Sequence, residues 1–361
     1  MFKKKVTKFF VSITALLFVL YLSPAQAAEK KVMLKVPVAF PTVLPGMGSP
    51  AIWMAERMEI ASGGSIKMKV YEPGKLVAPF EILESVSKGK INAGNSTAGF
   101  WAGKIPASPI FSAIPFGPEA GEYLAWMFHG NGMKLYQEMY DQAGYNVKVF
   151  ICSITAPETS GWFKKPITSP DQLKGLRMRF FGLGGKVMED LGVSTSLLPG
   201  GEIFPALEKG AIDATEFSMP AIDKRIGLYK IAKYNYYPGW HQQATIYELL
   251  INKDTWNSMS DHQKMVVEMV TKASTLEAFS LTEYLQAGTM KENIEKHGVK
   301  NMYWSPEMLT TYKTAWEKTA KEQADSDPFF KKVWDDISAF RAEYKLWQTY
   351  GFLPRPAPPQ N

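Results

Sequence analysis

Cysteine is almost absent: the chain of 361 residues holds one, Cys152. That excludes an internal disulfide framework and a cysteine-built metal site, since both need partners. Cys152 lies within the apolar run VKVFICSI, where a lone thiol reads as a buried filler rather than a nucleophile, and it is too far from the N-terminus to carry a lipid there. Histidine is scarce as well. His129, His241, His262 and His297 are the four present, and none stands in a nucleophile elbow, a zinc helix or a phosphate loop. The run GLGG at Gly182 to Gly185 lacks the spacing of a dinucleotide fingerprint. Beyond residue 22 no apolar stretch approaches the roughly 20 residues that cross a bilayer. A strong charge of one sign is missing too. The net charge is +6, but Lys3, Lys4, Lys5 and Lys8 stand in the first 27 residues, which hold no acid, so the remainder carries +2. Nucleic-acid binding loses its electrostatic footprint.

What is present begins with an export signal. MFKKKVTKFFVSITALLFVLYLSPAQA has a lysine-rich start, an apolar core from about Phe9 to Leu22, and Ala25 and Ala27 flanking Gln26. This pattern predicts cleavage after Ala27 and release of a soluble protein into the periplasm, the alternative being an uncleaved anchor. Roughly 330 residues then remain, and with 46% hydrophobic residues in the chain they suffice for two sizeable cores.

From Lys31 onward short apolar runs alternate with amphipathic stretches: VMLKVPVAF, AIWMAERMEIAS, SIKMKVYE and FEILESVSKGKI read as strand, helix, strand and helix. The expected fold class is therefore α/β, with a largely parallel sheet. YNVKVFICSIT reads as a long strand that leaves a first domain. A second set follows in GWFKKPI, the helix start SPDQLKG, the strand LRMRFFG, the helices GGKVMEDLG and EIFPALEKGAI, and the strand DATEFS. The expected division is a signal peptide over 1–27, domain I over 28–155, domain II over 156–246, and a return to domain I over 247–361. The return includes an unusually long helix after Ser260, able to contact both domains, and an amphipathic C-terminal helix before a disordered-looking PRPAPPQN end. Trp334, Phe340, Tyr344 and Trp347 make an aromatic stripe on that helix; it either packs on the parent domain or serves as a homodimer contact.

Several segments in series carry a family resemblance. SPDQLKGLRMRFFG, then LEKGAIDATEFSMPAID, then YKIAKYNYYPGW resemble the substrate-binding component of tripartite ATP-independent periplasmic (TRAP) transporters. ESVSKGKINAGNSTAGFWAGKIPASPIFSAIPFG resembles the same family in the first half, so the likeness covers most of the mature chain. PFG, GWF after Ser160, and YYPGW look most like the branch that binds 2-oxo monocarboxylates or 2-hydroxy acids with a metal ion. The resemblance implies two α/β domains joined by hinge strands, a ligand held in the cleft by domain closure, and membrane subunits of the transporter as partners.

The resemblance also implies site residues. Arg179 aligns with the arginine that grips the substrate carboxylate, a task suited to a planar guanidinium with two parallel donors and a permanent charge. Arg177 falls on the opposite face of an extended strand, as a solvated partner. Glu216 and Phe217 match an acid followed by an aromatic residue, the first giving a carboxylate oxygen and the second a backbone carbonyl to Na⁺ or Ca²⁺. Glu158 stands where the metal-binding branch has glutamine, and Gln242 near a position where some members have glutamate; such an exchange keeps two negative charges in the cage. Gln243 can take that place after a one-residue shift. Phe100 and Trp101, with Phe180, Phe181 and Trp240, are candidates for the apolar walls, and Asn95 for a hydrogen bond to a ligand oxygen.

Other readings remain open. A dicarboxylate or sugar acid bound without metal would still use Arg179, although Glu216 would repel a second carboxylate. Glu158 and Glu216 as a hydrolytic acid/base pair is a more remote reading.

Overall fold

Alternation in the segment VMLKVP sends Leu34 and Val36 into the interior and leaves Met33 and Lys35 outside, which is what a half-buried strand requires. In the computed structural model, which describes residues 29–356, this segment is β1 (Val32–Pro37). Ten more strands follow among the described residues: β2 (Ile66–Tyr71), β3 (Ala93–Ser96), β4 (Val147–Thr155), β5 (Gly161–Phe163), β6 (Arg177–Arg179), β7 (Ser194–Ser196), β8 (Ala214–Thr215), β9 (Tyr234–Tyr237), β10 (Thr245–Asn252) and β11 (Lys300–Tyr303). The expected signal peptide and the last five residues of the chain lie outside the described residues.

Two groups of strands form. In the first, the largely parallel sheet expected from the sequence is not what forms: only the strands β1 and β2 are parallel there, and β3, β10 and β4 make an antiparallel sheet with β10 in the middle. A parallel bridge between Val38 and Asn95 links the pair to the three. The other sheet has six strands in the order β11-β9-β5-β8-β6-β7, parallel at β11/β9, β8/β6 and β6/β7 and antiparallel on both sides of β5. The chain leaves the first group after β4 and returns to it with β10. Both strands are buried along nearly their whole length, so VKVFICSIT and TIYELLIN read as continuous apolar runs rather than alternating ones.

Inside the first core, Glu248 of β10 is fully buried. Three donors make this tolerable: Trp101 Nε1 at 2.9 Å, Tyr136 OH at 2.5 Å and Tyr140 OH at 2.7 Å. Burial still pushes its carboxyl above the usual range.

The long helix spans Asp261–His297. Ser260 and Gln263 close a capping box at its start, and Gly298, with φ at 64°, ends it in the left-handed conformation that glycine adopts without strain. Along its length it packs on β4, where Thr275 Oγ1 donates to Ile151 O at 3.4 Å, and it reaches the helix Pro220–Ile226 that follows β8. Thr282 Oγ1 accepts from Ala156 N at 3.2 Å, Gln286 Oε1 accepts from Ala221 N at 3.0 Å, and Lys224 pairs with Glu292.

Three local expectations change in detail. SPDQLKG gives only a 3₁₀ turn, Pro170–Leu173, because Gly175 at φ 76° turns the chain soon after its capping box. DATEFS pairs over two residues only: Glu216 N donates to Arg179 O outside the named strands, and the chain then turns into the helix Pro220–Ile226. The C-terminal aromatic stripe divides. Trp334 packs edge-on to Trp316 at 5.4 Å and Phe340 stacks with Tyr344 at 5.9 Å, whereas Trp347 is 59% exposed.

Candidate ligand and metal site

β6 and β8 run parallel, so their carboxyl ends reach the same sheet edge, and Arg179 and Thr215 are register partners there. That edge is where open α/β sheets bind ligands, because the chain must leave the ladder and frees its polar groups. Arg179 ends β6 and Glu216 follows β8. Arg179 Nη1 donates to Glu216 Oε1 at 2.6 Å and to Glu216 O at 2.9 Å, and Nε donates to Leu198 O at 3.3 Å. Both side chains are buried, at 2% and 0% exposure. The guanidinium also lies over the Phe217 ring, 5.4 Å from its centre.

Glu158 comes from the crossing that follows β4, and Gln242 from the return crossing before β10. A close turn holds these two crossings together: Glu158 N donates to Gln242 O at 3.1 Å, and Gln242 N donates to Gly239 O at 3.1 Å. Thr245 Oγ1 donates to Glu158 Oε1 at 2.9 Å and accepts from Gln242 Nε2 at 2.7 Å. Gly239 is required at this turn, because a Cβ there would fall within van der Waals distance of the Glu158 carbonyl group. Gly239→Ala should therefore destabilise the fold by about 1–3 kcal/mol, the usual cost of forced overpacking, and displace Glu158. Urea unfolding and ligand titration check it; parental behaviour in both would refute the role of this turn.

The resulting cavity is narrow, with a volume of about 10 Å³, far below that of a typical ligand pocket. Phe40, Met47, Thr97, Phe100, Thr245 and Tyr247 line it from the first strand group, and Arg179, Phe181 and Phe217 from the second, with Glu158 and Gln242 from the crossings. Phe100 meets Phe181 edge-on at 5.6 Å, so aromatic residues of both groups close over it.

Its polar atoms are incompletely paired. Glu158 Oε2, Glu216 Oε2, Gln242 Oε1 and both ring nitrogens of His241 are buried without a hydrogen-bond partner. An unpaired buried polar atom costs about 1–3 kcal/mol, and several of them stand together here. Two carboxylate oxygens and an amide oxygen are the donors that Na⁺ and Ca²⁺ take, and the residues fit such an ion. Burial, and next the charge of Glu216, holds the Glu158 carboxyl well above the usual range. Burial pushes Glu216 the same way, but Arg179 and then His241 outweigh it and hold that carboxyl below its ordinary value.

The sequence-predicted residues divide in three. Arg179, Phe100, Phe181, Phe217, Glu158 and Gln242 line the cavity, and Glu216 adjoins it through Arg179. Gln243 turns away, with Nε2 donating to Gly239 O at 2.8 Å. Asn95, Trp101, Phe180 and Trp240 do not line it. The Asn95 amide donates within its own sheet to Cys152 Sγ and Glu248 O, and the Trp101 indole donates to Glu248. Phe180 and Trp240 pack behind the wall, Trp240 stacked on Tyr312 at 4.6 Å. Sequence reading passed over Phe40, Met47, Thr97, Thr245 and Tyr247, which carry no motif. It also passed over His241, although that residue sits between Trp240 and Gln242, both already singled out.

The model of the family "Bacterial extracellular solute-binding protein, family 7" matches residues 47–327. A monocarboxylate 2-oxoacid-binding periplasmic protein of Nostoc sp. is 33% identical over 325 residues, which are 90% of this chain and 88% of that protein. A solved TRAP transporter solute binding protein from Bordetella bronchiseptica, a mixed-occupancy dimer with calcium and picolinate in one of its sites, matches with a TM-score of 0.86. Its identity is 25%, over 89% of this chain and 95% of that one. A TRAP periplasmic solute binding protein from Pseudoalteromonas atlantica, with bound sodium and pyruvate, matches with a TM-score of 0.85 at 28% identity, over 89% of this chain and 97% of that one. The α/β fold expected from the sequence is the fold of these structures.

Proposed function

The chain belongs to family 7 of the bacterial extracellular solute-binding proteins, and from that premise we propose that it is the periplasmic receptor of a TRAP transporter for a small 2-oxo or 2-hydroxy monocarboxylate, taken up together with Na⁺ or Ca²⁺. One observation carries this reading. Arg179, 2% exposed, lines the same closed cavity as Glu158 and Gln242, each of which has an outer oxygen with no hydrogen-bond partner. Arg179 supplies the positive charge for the ligand carboxylate. Glu158, Glu216 and Gln242, with the carbonyl of Phe217, are the residues that would hold the ion, and a bound ion supplies positive charge for the ligand's carboxylate and 2-oxo oxygens. Phe100, Phe181 and Tyr247 exclude water and limit the length of the tail. The small volume and the acid at Glu216 both disfavour a second carboxylate on the ligand.

We read residues 28–155 and 247–361 as one lobe and 156–246 as the other, with the crossings after β4 and before β10 as hinges and the helix Asp261–His297 as a brace across both. Ligand contacts from both lobes then stabilise the closed form, which the membrane subunits of the transporter recognise. The role is capture and delivery, without catalysis.

A thermal-shift screen tests the reading. Pyruvate and longer 2-oxo acids should raise the melting temperature in the presence of Ca²⁺ or Na⁺, and dicarboxylates much less. A ligand at 100 times its Kd adds about 2.7 kcal/mol, which such a screen resolves. Stabilisation by neutral sugars and by no carboxylate would sink the proposal.

A further inference from the structure

His241 is 1% exposed, and neither nitrogen of its ring has a hydrogen-bond partner. A buried imidazole with both nitrogens left in this way needs an explanation, because native structures pair the large majority of such groups. The ring has little room to withdraw. Phe180 packs edge-on against it at 4.9 Å and Trp240 at 5.6 Å, and Gly184 lies so close that a Cβ there would crowd the Cβ of His241. Nε2 stands 3.8 Å from Glu216 Oε2, too far for a hydrogen bond. One ligand atom each from Glu158, Glu216 and His241 lies within 4.8 Å of the other two. An ion bonded at about 2.0–2.6 Å bridges atoms up to roughly twice that distance apart.

Two further considerations concern which ion. Imidazole nitrogen is a good donor for Zn²⁺ and Co²⁺ and is accepted by Mn²⁺, the weakest binder of that divalent series, while Ca²⁺ and Na⁺ take oxygen. Glu158 and Glu216 when ionised, with Arg179, leave one negative charge in a buried site, and a monocarboxylate ligand makes two. A divalent ion brings the sum to zero, whereas a monovalent one leaves a charge uncompensated in a low-dielectric interior. We propose that His241 is a third side-chain ligand of the ion, and that its nitrogen turns this cage toward divalent transition metals, Mn²⁺, Co²⁺ or Zn²⁺, in preference to Ca²⁺ and Na⁺. The proposal rests on the receptor reading only in placing the ion beside the ligand cavity.

Chelator-treated protein is titrated with Mn²⁺ and with Ca²⁺, each with and without pyruvate, and the Mn²⁺ form is examined by pulsed electron paramagnetic resonance. The expected result is Mn²⁺ bound at least about ten-fold tighter than Ca²⁺ in one of the two conditions, with ¹⁴N modulation from a coordinated imidazole. His241→Gln should lose the nitrogen signal and about ten-fold or more in Mn²⁺ affinity, while Ca²⁺ affinity moves by less than about three-fold. Mn²⁺ bound without nitrogen coupling, Ca²⁺ bound as tightly as Mn²⁺ in both conditions, equal losses for both ions in the variant, or no Mn²⁺ binding at all overturns the proposal. The wild-type spectrum decides the matter even where the variant fails to fold. Stabilisation by pyruvate with Ca²⁺ or Na⁺ but no Mn²⁺ binding would overturn the role of His241 and leave the receptor reading standing. Nitrogen-coupled Mn²⁺ with no response to any carboxylate would do the reverse.

Discussion

Arg179→Met should unfold about 3–5 kcal/mol more easily than the parent, the cost of removing one partner from a buried ion pair, and should retain no monocarboxylate. Arg179 and Glu216 are 2% and 0% exposed and meet at 2.6 Å, so methionine leaves the Glu216 carboxylate without its main counter-charge and without access to water. Arg179→Met combined with Glu216→Gln removes that stranded charge and should recover most of the lost stability. It should not recover binding, because no guanidinium is left for the ligand. Denaturant unfolding beside ligand titration separates the two effects. Parental affinity in Arg179→Met would remove Arg179 from the site, and parental stability would show that Glu216 finds another partner.

Stability of the metal-free protein should fall as the pH rises from 4.5 to 7.5. Asp223 is fully buried and accepts from Trp162 Nε1 at 2.7 Å and Ser218 N at 3.1 Å. Burial still pushes its carboxyl up to about 7, with the charge of Glu216 acting in the same sense against the Trp162 bond. Glu158 and Glu248 are raised as well, chiefly by burial. A carboxyl with a raised pKa binds its proton more tightly in the folded state. Its contribution is fully present below the unfolded value of about 4 and is lost as the pH climbs through the folded value. For Asp223 the span is about 3 units, or on the order of 4 kcal/mol. Glu216 has the opposite sign: its contribution is present above about pH 4 and is lost below that, outside the window. Urea unfolding in chelator at several pH values gives the slope. Glu158→Gln should flatten it, and saturating metal with ligand should too, since a cation favours the ionised carboxylates. A metal-free protein that gains stability between pH 4.5 and 7.5 would contradict this account.

The elements were largely legible because their signals are local. Period two along RMR separated Arg177, exposed and paired with Asp213 at 2.6 Å, from Arg179, buried two residues on. The capping box at Ser260 and the glycine at 298 bounded the long helix. Site residues were legible where a motif carried them. Asn95 and Trp101 show where that stops: both are buried, but a run of letters cannot tell whether an amide or indole serves a ligand or its own sheet, and here both turn to the neighbourhood of Glu248.

By itself the sequence determined the export pattern, the α/β alternation, the long helix and the family, since each depends on residues close together or in a fixed series. Only the tertiary structure decided which side chains share one cavity. Glu158, Arg179, Glu216 and Gln242 meet because parallel pairing of β6 with β8 brings two strand ends to one edge, and because the turn at Gly239 clasps the two crossings together. It also decided that Gln242 rather than Gln243 faces the cavity, and that His241 is drawn in beside the acids. Register and chain crossings set those distances, and neither is encoded in any single stretch.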